Sequence, residues 1–227
     1  FASICPDLMT NGLRQVEDDT WRFIPSGYLK NWWYTEDTYW RYVPYHSEVQ
    51  HNMQGDEINI IGQYDLTFRL PPVPYEGTYE LRICAPQIQH FGMFQVYLGT
   101  DRLNPTPIGL PLDFRIASSN PNIGWEPDVD DVEINREIDK RMRNHGYMKN
   151  NKHAGRPNSG NVVTTPLRAA SGDYIRMRKI LWNGTMKPDE EYFVRIKSVL
   201  NNTRTCCMLD YFEIVPRSVY AGEEVED

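Results

Sequence analysis

The sequence of 227 residues contains few cysteines: Cys5, Cys84, Cys206 and Cys207. Their spacing matches no zinc-binding pattern, and two adjacent cysteines cannot readily serve one metal ion or pair with each other. A chain of this size can bury a core without disulfides, and sparse cysteines are commonly buried thiols. We therefore expect thiols, although Cys84 could form a bridge to one of the adjacent pair if their strands were neighbours.

Long apolar runs are also absent. The sequence contains no stretch of about 18 apolar residues, which is the length that could span a bilayer. The chain is acidic, with a formal net charge of −7, and its basic residues are scattered, which disfavours binding to a phosphate backbone. We therefore expect neither membrane insertion nor nucleic-acid binding. Because the chain begins at Phe1 without the regions of a signal peptide, any export signal is expected upstream.

The common catalytic motifs are missing as well. The sequence contains no Gly-x-Ser-x-Gly, His-Glu-x-x-His, Gly-x-Gly-x-x-Gly or P-loop pattern. The acidic cluster at residues 128–133 lacks the glycine and the glutamate that a calcium loop needs at its sixth and twelfth positions, so we interpret it as the start of a helix. We expect a protein that is not an enzyme.

The clearest pattern present is an apolar residue at every second position, which is typical of half-buried strands. Residues 64–70 alternate strictly, and residues 78–83 alternate again after a proline-rich turn, so we expect these two segments to pair antiparallel. Further strands are predicted at about residues 39–43, 57–61, 94–98, 108–114, 174–181, 192–199 and 208–215. About nine strands with few helices predict an all-β fold, a jelly-roll β-sandwich with one or two short helical insertions.

A helical period occurs between residues 131 and 144, where Ile134, Ile138 and Met142 recur every four residues. Asp130 and Glu133 resemble a capping pair, and Gly146 marks the end of the helix. A second helical turn is predicted at residues 6–13.

The chain is expected to contain one domain. Residues 1–20 form a lead-in segment with the short helix, residues 21–220 form the sandwich, and residues 221–227 form an acidic tail. Within the domain, residues 145–171 are rich in Asn, Gly, Pro and Lys, which predicts a long exposed loop.

Aromatic residues are concentrated between residues 21 and 45. Flat aromatic rings can cover the apolar face of a sugar, whereas strands also use aromatics to pack their core. Trp32 and Trp33 are consecutive, so only one of them can face the core of a strand. The candidate glycan-stacking residues are Trp32, Trp33, Tyr34, Trp40 and Trp125. For Trp125, which precedes the predicted helix, the alternative is a loop anchor that covers the core.

Asp210 is the candidate metal-binding residue. It shares the predicted inward face of the last strand with Met208, Phe212 and Ile214, and an inward carboxylate needs hydrogen bonds or a cation. A structural calcium ion there is therefore a hypothesis, and no other cofactor is expected.

Four segments together resemble the C-terminal domain of fasciclin-domain surface proteins from Bacteroides and their relatives: residues 77–83, 94–99, 108–115 and 208–216. The same order of strands is similar to carbohydrate-binding modules with the galactose-binding-like jelly roll. The resemblance implies that fold, together with export to the cell surface or outer membrane as part of a longer lipoprotein. It also implies a role in cell adhesion or polysaccharide capture.

Two functions remain open at this point. The first is a non-catalytic module that binds a polysaccharide or a surface protein through exposed aromatic rings. The second is a structural spacer without a ligand, which packs against a neighbouring fasciclin domain of the same chain.

Overall fold

The computed structural model describes residues 32–35, 39–43, 57–86, 92–149, 155–157, 163–166, 176–200, 206–209 and 211–220. The strands are β1 (Trp32–Tyr34), β2 (Tyr39–Val43), β3 (Glu57–Ile61), β4 (Asp65–Arg69), β5 (Gly77–Pro86), β6 (Met93–Gly99), β7 (Thr106–Asp113), β8 (Tyr147–Met148), β9 (Gly155–Pro157), β10 (Val163–Pro166), β11 (Arg176–Met186), β12 (Phe193–Ser198), β13 (Cys206–Leu209) and β14 (Tyr211–Pro216). Helix α1 (Val132–Asn144) lies between β7 and β8. The helix predicted at residues 6–13 and the acidic tail lie outside the described residues.

Two antiparallel sheets form the layers of an all-β sandwich, as the sequence predicts. One sheet has the strand order β1-β4-β12-β6-β7, and the other has the order β14-β5-β11-β8. Two smaller antiparallel sheets have the orders β13-β3-β2 and β10-β9. The chain passes repeatedly from one main sheet to the other, as jelly rolls do.

The main core lies between the two large sheets. The inward residues of β4 and β5 are buried in one cluster, as the alternation predicts, and Phe68 meets Phe212 of the opposite sheet with ring centroids 4.7 Å apart. Cys84 and Cys207 are buried thiols outside any disulfide. The other two cysteines have no described side chain.

The predicted pairing of residues 64–70 with residues 78–83 is wrong. Strand β4 pairs with β1 and β12, whereas β5 pairs with β11 and β14 in the other sheet. The proline-rich connection carries the chain across the sandwich, so the two apolar faces meet across the core. An alternating pattern determines which face of a strand is buried, but it does not determine the neighbouring strand.

Helix α1 begins one residue later than predicted. The carboxylate of Asp131, rather than Asp130, accepts the N–H groups of Glu133 and Ile134 at 2.9 and 3.2 Å. Gly146 follows the last turn with a φ of 76°, in the left-handed region that glycine adopts easily, so the predicted end is confirmed.

The apolar stripe of α1 is only partly buried. Ile138 and Met142 join a second cluster with residues of the preceding loop, β8 and β11, whereas Ile134 in the first turn is 51% exposed. The helix therefore packs through its second and third turns.

The predicted exposed loop at residues 145–171 contains buried structure. Tyr147 and Met148 pair with β11 as strand β8, and Lys149 is buried beside them. The ammonium of Lys149 donates to a carboxylate oxygen of Asp128 at 2.7 Å. Tyr147 and Met148 are apolar enough to be buried, but the many polar residues of this segment outweighed them in the sequence-based prediction.

Lys179 of β11 lies at the edge of this second cluster. Its ammonium is 4.1 Å from the ring centroid of Tyr147 and donates to the carbonyl oxygen of His145 at 2.9 Å. Burial lowers the pKa of Lys179 to about 8, whereas an unfolded lysine titrates near 10.4. Between these values the unfolded chain binds more protons, so this side chain makes the folded state more stable as the pH rises.

We therefore expect Lys179→Met to remove a rise of about 1 to 2 kcal/mol in the free energy of unfolding between pH 8 and pH 10. Urea unfolding of the wild type and the variant at both pH values measures this difference. Parallel pH profiles for the two proteins would contradict the prediction, because the rise would then come from other groups.

Candidate functional site

The outer face of the five-stranded sheet brings aromatic and basic side chains together. The strand register places four residues in one row across this sheet. From β1 to β6 the row runs Trp33, Thr67 of β4, Arg195 of β12 and Tyr97, and each residue lies opposite the next. Their neighbours along β4 and β12 point into the core, so period two places this row on the opposite face. We call this surface, with Phe193 and Arg102, the aromatic-basic face.

Trp33 is the centre of the aromatic-basic face. Its half-buried ring meets Phe193 edge-on, with centroids 5.8 Å apart and planes inclined by 63°. The guanidinium carbon of Arg102, from the loop between β6 and β7, lies 4.5 Å from the Trp33 ring centroid. Three separate elements therefore fix the position of this ring, and edge-on aromatic contacts and cation–π contacts each add attraction beyond burial.

A second aromatic and basic pair lies next to it. Arg195 donates two hydrogen bonds to the carboxylate of Asp65, at 2.6 and 2.5 Å, and its guanidinium carbon is 5.3 Å from the ring centroid of Tyr97. Burial opposes the ionisation of Asp65, but the hydrogen bonds and charges of Arg195 and Lys197 together outweigh it and hold the pKa of Asp65 below its usual value. Arg195 is consequently held in one orientation beside Tyr97.

The other residues predicted to stack on glycans have different positions. Trp32 and Tyr34 pair through their backbones with Phe68 and Leu66, and Trp40 of β2 pairs with Ile60. The side chains of these three residues lie outside the described part of the structure, as does all of Asp210.

Trp125 is only 8% exposed and belongs to the second core cluster. The ammonium of Lys149 is 6.0 Å from its ring centroid, and its indole N–H has no hydrogen-bond partner among the described residues. Trp125 therefore anchors the loop before α1 and presents no open ring to a sugar.

Apart from Trp33, sequence reasoning missed all the aromatic and basic members of the aromatic-basic face, namely Tyr97, Arg102, Phe193 and Arg195. In β6 and β12, every second residue points into the core and the residues between them point outward. Phe193 and Tyr97 are aromatic residues at these outward positions, where polar residues are expected. This signal was present in the sequence. Nothing in the sequence indicated that Arg102, from a loop, would reach a tryptophan about 70 residues earlier.

The described ranges contain no group of three or more His, Cys, Asp or Glu residues that could hold a metal ion. Across the same residues, no helix has the length and apolar character needed to cross a bilayer.

Comparison with known proteins gives little further information. No family model matches the sequence, and no curated protein matches it. Among solved structures, a xanthan lyase from Paenibacillus is similar over 81% of this chain and 12% of the lyase chain, with 14% identity and a TM-score of 0.42. The chain thus spans a small part of that enzyme, and a similarity of this size assigns no activity.

Proposed function

We propose that this chain is a non-catalytic carbohydrate-binding or adhesion module and that a glycan binds at the aromatic-basic face. The supporting observation is the half-buried ring of Trp33, fixed between Phe193 and Arg102 on an outer sheet face. A ring of this kind can cover the C–H face of a sugar while neighbouring polar groups bind its hydroxyls.

The fixed geometry of the face favours this function. Asp65 holds Arg195 through two hydrogen bonds, so less conformational freedom is lost when a ligand binds. A single site of this size would still bind weakly, with a Kd of about 0.1 to 1 mM. Several copies on one surface would raise the apparent affinity through multivalency.

The location is also a proposal. The resemblance to fasciclin-domain surface proteins supports export to the cell surface or outer membrane, within a longer lipoprotein. Several copies of a weakly binding module on one surface would suit adhesion or polysaccharide capture there. Partners would then be a polysaccharide, a surface protein or the neighbouring fasciclin domain.

The test is a glycan-array screen of the folded chain with calcium present, followed by titration of the glycans that bind. We expect Trp33→Ala to weaken binding by about fivefold to a hundredfold, because removal of a stacked ring costs about 1 to 3 kcal/mol. Tyr75→Ala is the matched control, because Tyr75 is an aromatic residue that is 48% exposed outside this face. Circular dichroism of each variant checks that it remains folded.

Failure of the well-folded wild type to bind any glycan would instead favour the structural spacer. Leu103 and Leu110, which are 68% and 84% exposed near strand β7, support that alternative. Apolar side chains exposed to this extent are available to pack against a neighbouring domain. Under the spacer hypothesis, amide hydrogen exchange in β7 would slow when that domain is present.

A further inference from the structure

We propose that the aromatic-basic face selects acidic glycans and that Arg102 binds the carboxylate of a uronic acid. This inference rests on the proposed function, because it names the class of sugar that the same face would take. It is carried by the contact between Arg102 and Trp33 and by the distribution of charge around them.

Arg102 differs from the other arginines of this surface in its contacts. Arg195 is paired with Asp65, and Arg69 is paired with Glu191 at 2.7 Å. Within the described residues, the Arg102 side chain contacts the Trp33 ring and forms no hydrogen bond or ion pair with a carboxylate. Its N–H donors therefore remain available to an acceptor from outside these residues.

The nearest acidic residue in the sequence, Asp101, is engaged elsewhere. Its carboxylate accepts the N–H of Leu103 at 2.9 Å and the side-chain amide of Asn104 at 2.8 Å. The hydrogen bond from Asn104 is the main reason that the pKa of Asp101 is lowered, and the nearby charge of Arg102 lowers it further. Asp101 therefore shapes the loop that carries Arg102, and the described structure shows no hydrogen bond between their side chains.

The local charge also favours an anionic ligand. Among the described side chains, this surface carries four cations and three carboxylates: Arg69, Arg102, Arg195 and Lys197, with Asp65, Asp101 and Glu191. The balance of these seven described charges is +1, whereas the whole chain carries −7. A positive site on an acidic protein attracts an anion locally while the rest of the surface repels it.

The chemistry of the pair indicates a carboxylate on a sugar. A planar guanidinium can donate two parallel hydrogen bonds to a planar carboxylate, and such bonds are stronger than those between neutral groups. The adjacent Trp33 ring can cover the C–H face of the same sugar. A uronic acid carries both features, because its carboxylate is attached directly to the sugar ring.

The experiment compares polygalacturonate, polyglucuronate and alginate with the carboxyl-reduced counterpart of each, by titration calorimetry at low ionic strength and pH 7. Each pair differs only in the charged group. We expect the full chain to bind at least one uronate polymer at least tenfold more tightly than its reduced counterpart. Arg102→Gln should weaken binding to the uronate polymer more than binding to the reduced polymer and so remove the preference, whereas Arg136→Gln, which removes an exposed cation on α1, should change neither affinity.

The outcomes separate this inference from the function on which it rests. Equal binding of uronate and reduced polymers, or binding of sulfated chains alone, would overturn the acidic-sugar inference and leave a carbohydrate-binding module. An equal loss of both affinities in Arg102→Gln would show that Arg102 only positions Trp33, and it would also overturn the inference. Binding of no glycan by the folded wild type would overturn both.

Discussion

Replacing Glu80 by alanine is expected to lower the free energy of unfolding by about 3 to 5 kcal/mol. The Glu80 side chain is only 4% exposed and pairs with two arginines: Arg82 at 2.8 Å and Arg143 of α1 at 2.7 Å. Arg82 is 1% exposed, and a carboxylate oxygen of Glu213 lies 3.4 Å from its guanidinium. Removal of Glu80 would take a short ion pair away from each of these two largely buried arginines.

This ion-pair network connects α1 to the outer face of the four-stranded sheet, because Arg143 belongs to the last turn of the helix. We therefore expect Glu80→Ala to loosen the helix as well as to destabilise the sandwich. Removing one partner of a buried pair costs more than the pair itself contributes, since the remaining charge stays desolvated.

Urea unfolding, followed by circular dichroism, measures the change in the free energy of unfolding that Glu80→Ala causes. Glu137→Ala is the matched control, because Glu137 is 74% exposed and pairs with Lys140 on the solvent side of the helix. That control should stay within about 0.5 kcal/mol of the wild type. A loss below about 1 kcal/mol for Glu80→Ala would indicate that water or rearranged side chains compensate the two arginines.

Phe94→Ala should destabilise the protein by a similar amount, about 3 to 5 kcal/mol. The Phe94 ring is fully buried in the main core. It stacks on Phe114 with centroids 5.0 Å apart and lies 6.5 Å from the Tyr64 ring. Truncation removes both contacts and leaves a cavity that the two sheets cannot easily fill, because interiors are closely packed.

Chemical denaturation of Phe94→Ala beside Leu110→Ala tests this expectation. Leu110 also lies on a strand of the five-stranded sheet, but it is 84% exposed, so its truncation should change stability by no more than about 0.5 kcal/mol. Equal effects for the two variants would contradict the assignment of Phe94 to a tightly packed core.

The candidate site was only partly predictable. Trp33 was identified from the sequence because two consecutive tryptophans on a strand cannot both face the core. Arg102 and Arg195 became candidates only when the fold brought their side chains to aromatic rings. Trp125 shows the opposite case, since an aromatic residue in a loop proved to be a core residue.

The sequence by itself determined the local features of this protein: the positions of most strands, their buried faces and the helix near residues 131–144. These depend on side-chain periodicity and capping within short segments. Only the tertiary structure decided that β4 and β5 lie in opposite sheets, that Glu80 and Arg82 are buried, and which side chains form the aromatic-basic face. The physical reason is that these features depend on contacts between residues far apart in the chain. The alternation of apolar residues determines which face of a strand is buried, but it does not determine which strand or sheet that face packs against.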